Sequence, residues 1–180
     1  VTVDANRNIA GIIFSNTSAF GYTLSSGNLL LSNGGVIQSA TDNGAHIDTI
    51  SSAIAIQGDS GSGTFTAGAT SASSRLSIGA VTGVSTAGNT TTLTLNGDNT
   101  GANAVTGVIG NGSAGGTLAV VKSGNGVWQL SGANTFSGGL TLNSGTLRLG
   151  NNAALGSGTF TIAGGAIDVT SARTTTNNNA

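Results

Sequence analysis

GVWQLSGANTFSGGLTLNSGTLRLGNNAALGSGTFTIAGGAIDV, residues 126–169, repeats its pattern without repeating its letters. Trp128 precedes Leu147, Leu140 precedes Phe160 and Leu147 precedes Ile167, each by about 20 residues. Two interleaved series therefore share one period. Within them the apolar residues come as alternating pairs: Trp128 and Leu130, Leu140 and Leu142, Leu147 and Leu149, Phe160 and Ile162, Ile167 and Val169. A strand places alternate side chains on one face, so each pair marks a short strand with its intervening Thr, Gln, Arg or Asp turned outward. Short strands that recur at one fixed period between Gly and Asn turns are what a solenoid produces when each coil lies on the previous one. Gly132, Gly145 and Gly158 punctuate the pattern, where Gly tolerates the left-handed backbone that other residues enter only at a cost.

The same signature extends upstream. A pentapeptide of Gly, then Thr or Asn, then Leu or Phe recurs as GNLLL (27–31), GTFTA (63–67), GTLAV (116–120), GTLRL (145–149) and GTFTI (158–162). GVWQL (126–130) and GAIDV (165–169) are looser relatives. Short and long steps alternate along the series, which fits two or three strands per coil. Runs of Gly, Thr and Asn are poor helix formers, and no apolar stripe of helical period persists. Pro is absent, as a strand paired on both sides requires, because Pro has no N–H to give to the ladder. The reading is an all-β parallel β-helix, a β-solenoid of about 20–25 residues per coil, with roughly eight or nine coils in one segment over residues 1–180. The N-terminal half repeats less cleanly, with loops expected near 42–46 and 58–63 and an excursion at TAGATSASS (66–74). The polar tail TTTNNNA (174–180) reads as a cap, a linker or a cut end.

Composition restricts function. Gly, Thr, Ser and Asn make up more than half of the chain, charged residues 6%, and the formal net charge is −1. So weak a field does not attract nucleic acid or an anionic membrane surface. No apolar run approaches the roughly 18 residues of a membrane helix, and membrane insertion by this segment is not expected. Cys is absent, which removes disulfides, thiolate metal sites and a cysteine nucleophile. The low charge and abundant Thr, Ser and Asn suit an extracellular location or a bacterial cell surface.

LNGDNT (95–100) and LSGANT (130–135) share Leu, Gly, Asn and Thr. With Trp128 in its first strand, the SGANTFSGG corner (131–139), the SGTLRLG strand (144–150) and the NNAALGSG turn (151–158), residues 124–162 resemble the autotransporter-associated β-strand repeat, also called the passenger-associated transport repeat. That resemblance implies a right-handed parallel β-helix in the passenger region of a large secreted or surface polypeptide of bacteria. It also implies a segment of a longer protein. The outer-membrane barrel that ends such proteins is not part of this sequence.

Chemistry-bearing residues are sparse. Glu is absent and the carboxylates are Asp4, Asp42, Asp48, Asp59, Asp98 and Asp168. An enzyme reading, as a polysaccharide lyase or hydrolase, has its best candidates in DNGAHID (42–48), where Asp42, His46 and Asp48 lie close together and His46 and Asp48 share a face of a strand. The plainer reading is an outward polar turn. GDSGSG (58–63) and DNG (42–44) hint at calcium loops but lack an ordered series of oxygen ligands. GNGSAGG (110–116) has no Lys or helix after it and reads as a turn. Trp128 is either a carbohydrate platform or strand packing. Outward Thr pairs, TLT at 92–94 and TFT at 64–66 and 159–161, raise an ice-binding alternative, but LTL, LRL and IDV interrupt the series. Arg7, Arg75, Lys122, Arg148 and Arg173 are scattered and fit a solvated face. The expectation is a non-catalytic stalk or fibre unit without a cofactor or metal. Its partners are neighbouring coils of the same chain or identical chains joined end to end by strand addition. An adhesin that binds surface glycans is the alternative.

Overall fold

A computed structural model describes residues 7–15, 20–40, 46–67, 74–172, 174 and 175. Strands are the only extended regular elements among them, and every strand pair is parallel. They stack as a β-solenoid in seven levels. The first level holds β1 (Arg7–Phe14) and β2 (Thr23–Leu24), and the second β3 (Asn28–Ser39) and β4 (Ile47–Ile50). The third holds β5 (Ala53–Ile56), β6 (Ser62–Ala67) and β7 (Arg75–Ile78), and the fourth β8 (Val81–Gly83), β9 (Thr90–Gly97) and β10 (Asn103–Val105). β11 (Ile109–Gly110), β12 (Thr117–Lys122) and β13 (Val127–Leu130) make the fifth, β14 (Leu140–Leu142) and β15 (Thr146–Leu149) the sixth, β16 (Phe160–Ile162) and β17 (Ala166–Val169) the seventh.

Three faces run along this stack. The first carries the beginnings of β1 and β3, then β5, β8 and β11. β1 and β3 turn a corner within one strand, so their later halves open the second face, which continues through β6, β9, β12, β14 and β16. In β3 the bend falls at Gly34, whose φ of 75° is left-handed, a conformation open to Gly without steric cost. The third face is the seven-stranded sheet from β2 through β4, β7, β10, β13 and β15 to β17. At about 4.8 Å per level, seven levels rise about 30 Å, fewer and shorter than the eight or nine coils the sequence suggests.

The reason is that coil length is not constant. Trp128 pairs with Leu147, Leu140 with Phe160, and Leu147 with Ile167, the three spacings read from the sequence. Further back the partners lie farther apart: Asn103 pairs with Trp128, Ile47 with Arg75, and Ser62 with Thr92, at spacings of about 25–30 residues. The wide levels have a strand on each face. In the two narrow levels the first face has no strand, and turns at 131–139 and 151–158 take its place while Phe136, Ala154 and Leu155 still fill the core. The core is otherwise a set of columns of inward Leu, Ile, Val and Phe, from Leu29 and Ile37 to Leu147 and Leu149, nearly all with no exposed surface.

Candidate functional site

Burying one side of every strand leaves the inward polar residues as the places where chemistry is least expected and most costly. His46 and Asp48 are the first of these. Both face the interior of the third face and are 4% and 0% exposed, which corrects the reading of an outward polar turn. The Asp48 carboxylate accepts from the Tyr22 N–H at 2.9 Å and from the Ser39 hydroxyl at 2.8 Å, with His46 Nε2 at 3.3 Å. Ser74 Oγ lies 3.3 Å from His46 Nδ1. Ser39 and Ser74 are themselves 1% exposed. A serine, a histidine and an aspartate thus sit together, but inside the rod, tying the first level to the second and the second to the third. The third residue of that candidate set, Asp42, lies outside the described residues, as do Asp4, Arg173 and DNG at 42–44.

Buried asparagines perform the same bridging. Asn103 Oδ1 accepts from the Leu76 N–H one level down, and its Nδ2 donates to the Val127 carbonyl one level up. Asn103 and Asn99 also exchange amide hydrogen bonds. Asn134 Oδ1 accepts from Ile109 N–H and its Nδ2 donates to Ala154 carbonyl, again linking neighbouring levels. The shared hexapeptide of 95–100 and 130–135 therefore buries the same Asn in both copies, although one copy follows the second face and the other the third. Its backbone partners are groups that would be orphaned where the ladder breaks.

Lys122 is the residue the sequence misplaces most. The sequence reading puts it on a solvated face, and the structure buries it fully, because in the alternation of β12 it falls on the inward phase with Leu118 and Val120. Burial pulls its ammonium down to about 8, against an upward pull from Asp98. Asp59, in the GDSGSG loop, accepts from Thr86 N–H and hydroxyl in the next level, which holds its carboxyl below the ordinary range. Asp98 likewise accepts from Asn125 N–H. Among the described residues no three His, Cys, Asp or Glu side chains gather into a metal site. The outward pair Arg148 and Asp168 meets at 2.7 Å across the sixth and seventh levels, and that hydrogen bond lowers the Asp168 carboxyl.

The repeat residues are placed level on level. Trp128, Leu130, Leu140, Leu142, Leu147 and Leu149 are buried, Phe160 is half-buried, and Ile162, Ile167 and Val169 in the seventh level are exposed. Trp128 donates from Nε1 to the Asn96 carbonyl at 2.9 Å and lies 6.5 Å from Phe65, so it packs rather than forming a surface platform. The exposed aromatics among the described residues are Phe20 and Tyr22, at the first level. Gly145 has φ of 71°; Gly132 and Gly158 abut backbone of the preceding level so closely that neither has room for a Cβ. The outward Thr residues are more regular than the sequence suggests: Thr64, Thr94, Thr141 and Thr161 share one column, broken only by Val121. LTL belongs to that column, while LRL and IDV lie on the third face.

Residues 120–149 match the family model described as the passenger-associated-transport-repeat. This stretch is thus similar to a passenger repeat. Over 66 residues the chain is also 42% identical to the Adhesin BmaC autotransporter of Brucella suis biovar 1 (strain 1330). That match covers 37% of this chain and 2% of that protein, so the chain spans a small fraction of the relative's length. No solved structure matches the chain. The passenger repeat and the adhesin-named relative fit a β-solenoid of a secreted or cell-surface protein.

Proposed function

We propose that the chain is a non-catalytic rod segment of an exported bacterial surface protein, whose role is to hold whatever it carries at a distance from the cell. The observation that supports this most directly is the continuous parallel register through seven levels, with Ser39, Ser74, His46, Asp48 and Lys122 turned into the core rather than toward a substrate. Each level adds backbone ladders and an apolar layer to its neighbours, so length is gained without a change of design. Level seven suits further extension. Its β16 and β17 end their sheets, and Ile162, Ile167 and Val169 offer an apolar layer to another level, whether from the same chain or from an identical one joined by strand addition.

Removing residues 140–159 tests the rod reading, because this joins Gly139 to Phe160 and takes out one full period in register. The shortened chain should keep its strand spectrum by circular dichroism and lose about 5 Å of length by small-angle scattering. An unfolded product, or one of unchanged length, would sink the additive-level idea.

A further inference from the structure

A buried ammonium in an apolar core needs a full set of acceptors, and Lys122 has one. Its Nζ donates to the carbonyls of Ser123 and Gly124, each at 2.8 Å, and to that of Ser144 at 3.1 Å. Three N–H donors meet three carbonyls. Two of the acceptors belong to the corner that follows β12 in the fifth level, and the third to the corner that follows β14 in the sixth. Both corners are shaped for this. Gly124 and Gly145 each have φ of 71°, and a Cβ on Gly145 would lie 2.6 Å from Nζ, inside the space the ammonium fills. The Ser144 hydroxyl adds a link by donating to the Gly124 carbonyl at 3.0 Å. Asp98 is the charged group that acts on the ammonium; its carboxylate holds Asn125 N–H on the same corner.

The position of this cage along the rod gives it a task. The fifth level pairs with the fourth at the wide spacing, Thr90 to Thr117, and with the sixth at the narrow one, Val120 to Leu140. At this boundary the chain changes from three strands per level to two, and an apolar column alone does not fix where the shorter coil must turn. Contacts between Leu, Val and Ile are non-directional, whereas three charge-assisted hydrogen bonds are satisfied in one geometry only. We propose that Lys122 is a register lock: its ammonium acts as an internal cation that pins the corner of the first narrow level onto the corner of the last wide one. Lys122, Ser123, Gly124 and Ser144 all fall inside the matched repeat of residues 120–149, so the lock is complete within one repeat. A buried charge of this kind supplies specificity rather than net stability, since an apolar residue of the same volume can be as stable.

The test separates register from packing. In Lys122→Ala, amide hydrogen exchange should rise roughly ten- to a hundredfold at Asn143 and Thr146, the cost of losing hydrogen bonds to a charged donor. Their N–H groups bond the Lys122 and Gly126 carbonyls at this boundary. Ile54 and Gln57, in the wide levels, should stay protected. Propylammonium replaces the deleted atoms and should restore protection at the junction, and 1-propanol, of similar size without the charge, should not. Equal rescue by both, no change at Asn143 and Thr146, or a uniform rise along the rod would overturn the proposal. Should the alanine variant not fold, Lys122→Met carries the test: junction exchange should rise even if the unfolding midpoint does not fall, and protection equal to wild type would refute the lock.

Discussion

The wide levels and the narrow levels solve the same problem with different materials. From Trp128 onward, each level takes about 20 residues for two strands, and its third-face interior is a simple column, Trp128 on Leu147 on Ile167 and Leu130 on Leu149 on Val169. Before it, a level takes about 25–30 residues for up to three strands, and polar side chains enter the core at the third face: Asp48 and His46, Ser74, Asn99 and Asn103. The difference teaches that the length of a coil is set at the corners. A longer corner brings more backbone N–H and C=O groups inside, and each must find a partner. Inward carboxylates and amides supply those partners; in the narrow levels the corner into the third face is short, 143–145 and 163–165, and Asn134 and Lys122 serve the backbone carbonyls turned inward.

If the narrow part depends on its apolar column, deleting side-chain volume there should have the largest effect. Leu147 lies between Trp128 and Ile167 with no exposed surface. Leu147→Ala should cost about 2–5 kcal/mol, the transfer term plus the cavity left under Trp128. Denaturant titration measures it, with Trp128 fluorescence as a local reporter. A cost below about 1 kcal/mol would mean that the column is not what holds these levels together.

The wide part should respond instead to loss of a bridge. Asn103→Ala leaves Leu76 N–H, Val127 C=O and the Asn99 amide without their partner. Buried groups stranded in this way cost about 1–3 kcal/mol each, and some relaxation onto Asn99 brings the expected total to about 2–4 kcal/mol. Hydrogen exchange should localise the damage to the third, fourth and fifth levels. If it appears at the seventh level as strongly, the two regions are one cooperative unit and the distinction between them is only geometric.

How much of this was visible in the sequence follows the same division. The narrow levels were legible down to individual pairings, because a column of apolar residues at constant spacing leaves its period in the chain. The wide levels were legible as strands but not as levels. Their strands are real at GNLLL and GTFTA, but the corners between them vary from level to level and erase the period. Lys122, His46 and Asp48 were misplaced for one reason: charged residues belong outside unless partners await them, and here the partners are backbone carbonyls, N–H groups and hydroxyls, which carry no distinctive letter. For Lys122 a signal was nonetheless present. In TLAVVK the alternation puts Lys on the phase of Leu118 and Val120, and it is followed at once by SGNG, a corner able to turn carbonyls inward.

The boundary between the two regions should show itself in pH, with the smallest effect of the three. In the folded chain burial brings the Lys122 ammonium down to about 8 despite Asp98, whereas an unfolded chain holds its proton to the ordinary value of 10.5. Between those values the unfolded state binds more protons, so stability rises with pH across the window; below about 8 both states hold the proton and the dependence vanishes. From about pH 7.5 to about pH 9 the gain is about 1 kcal/mol, read as an upward shift of the denaturation midpoint. The chain has one Lys and one Tyr, so few other groups titrate there, and Lys122→Met should flatten the curve while leaving any contribution of the terminal amine in place. A midpoint that falls as pH rises would mean that the three carbonyls favour the charged form by more than burial opposes it. In that case the ammonium would hold the wide and narrow parts together by net stability as well as by register.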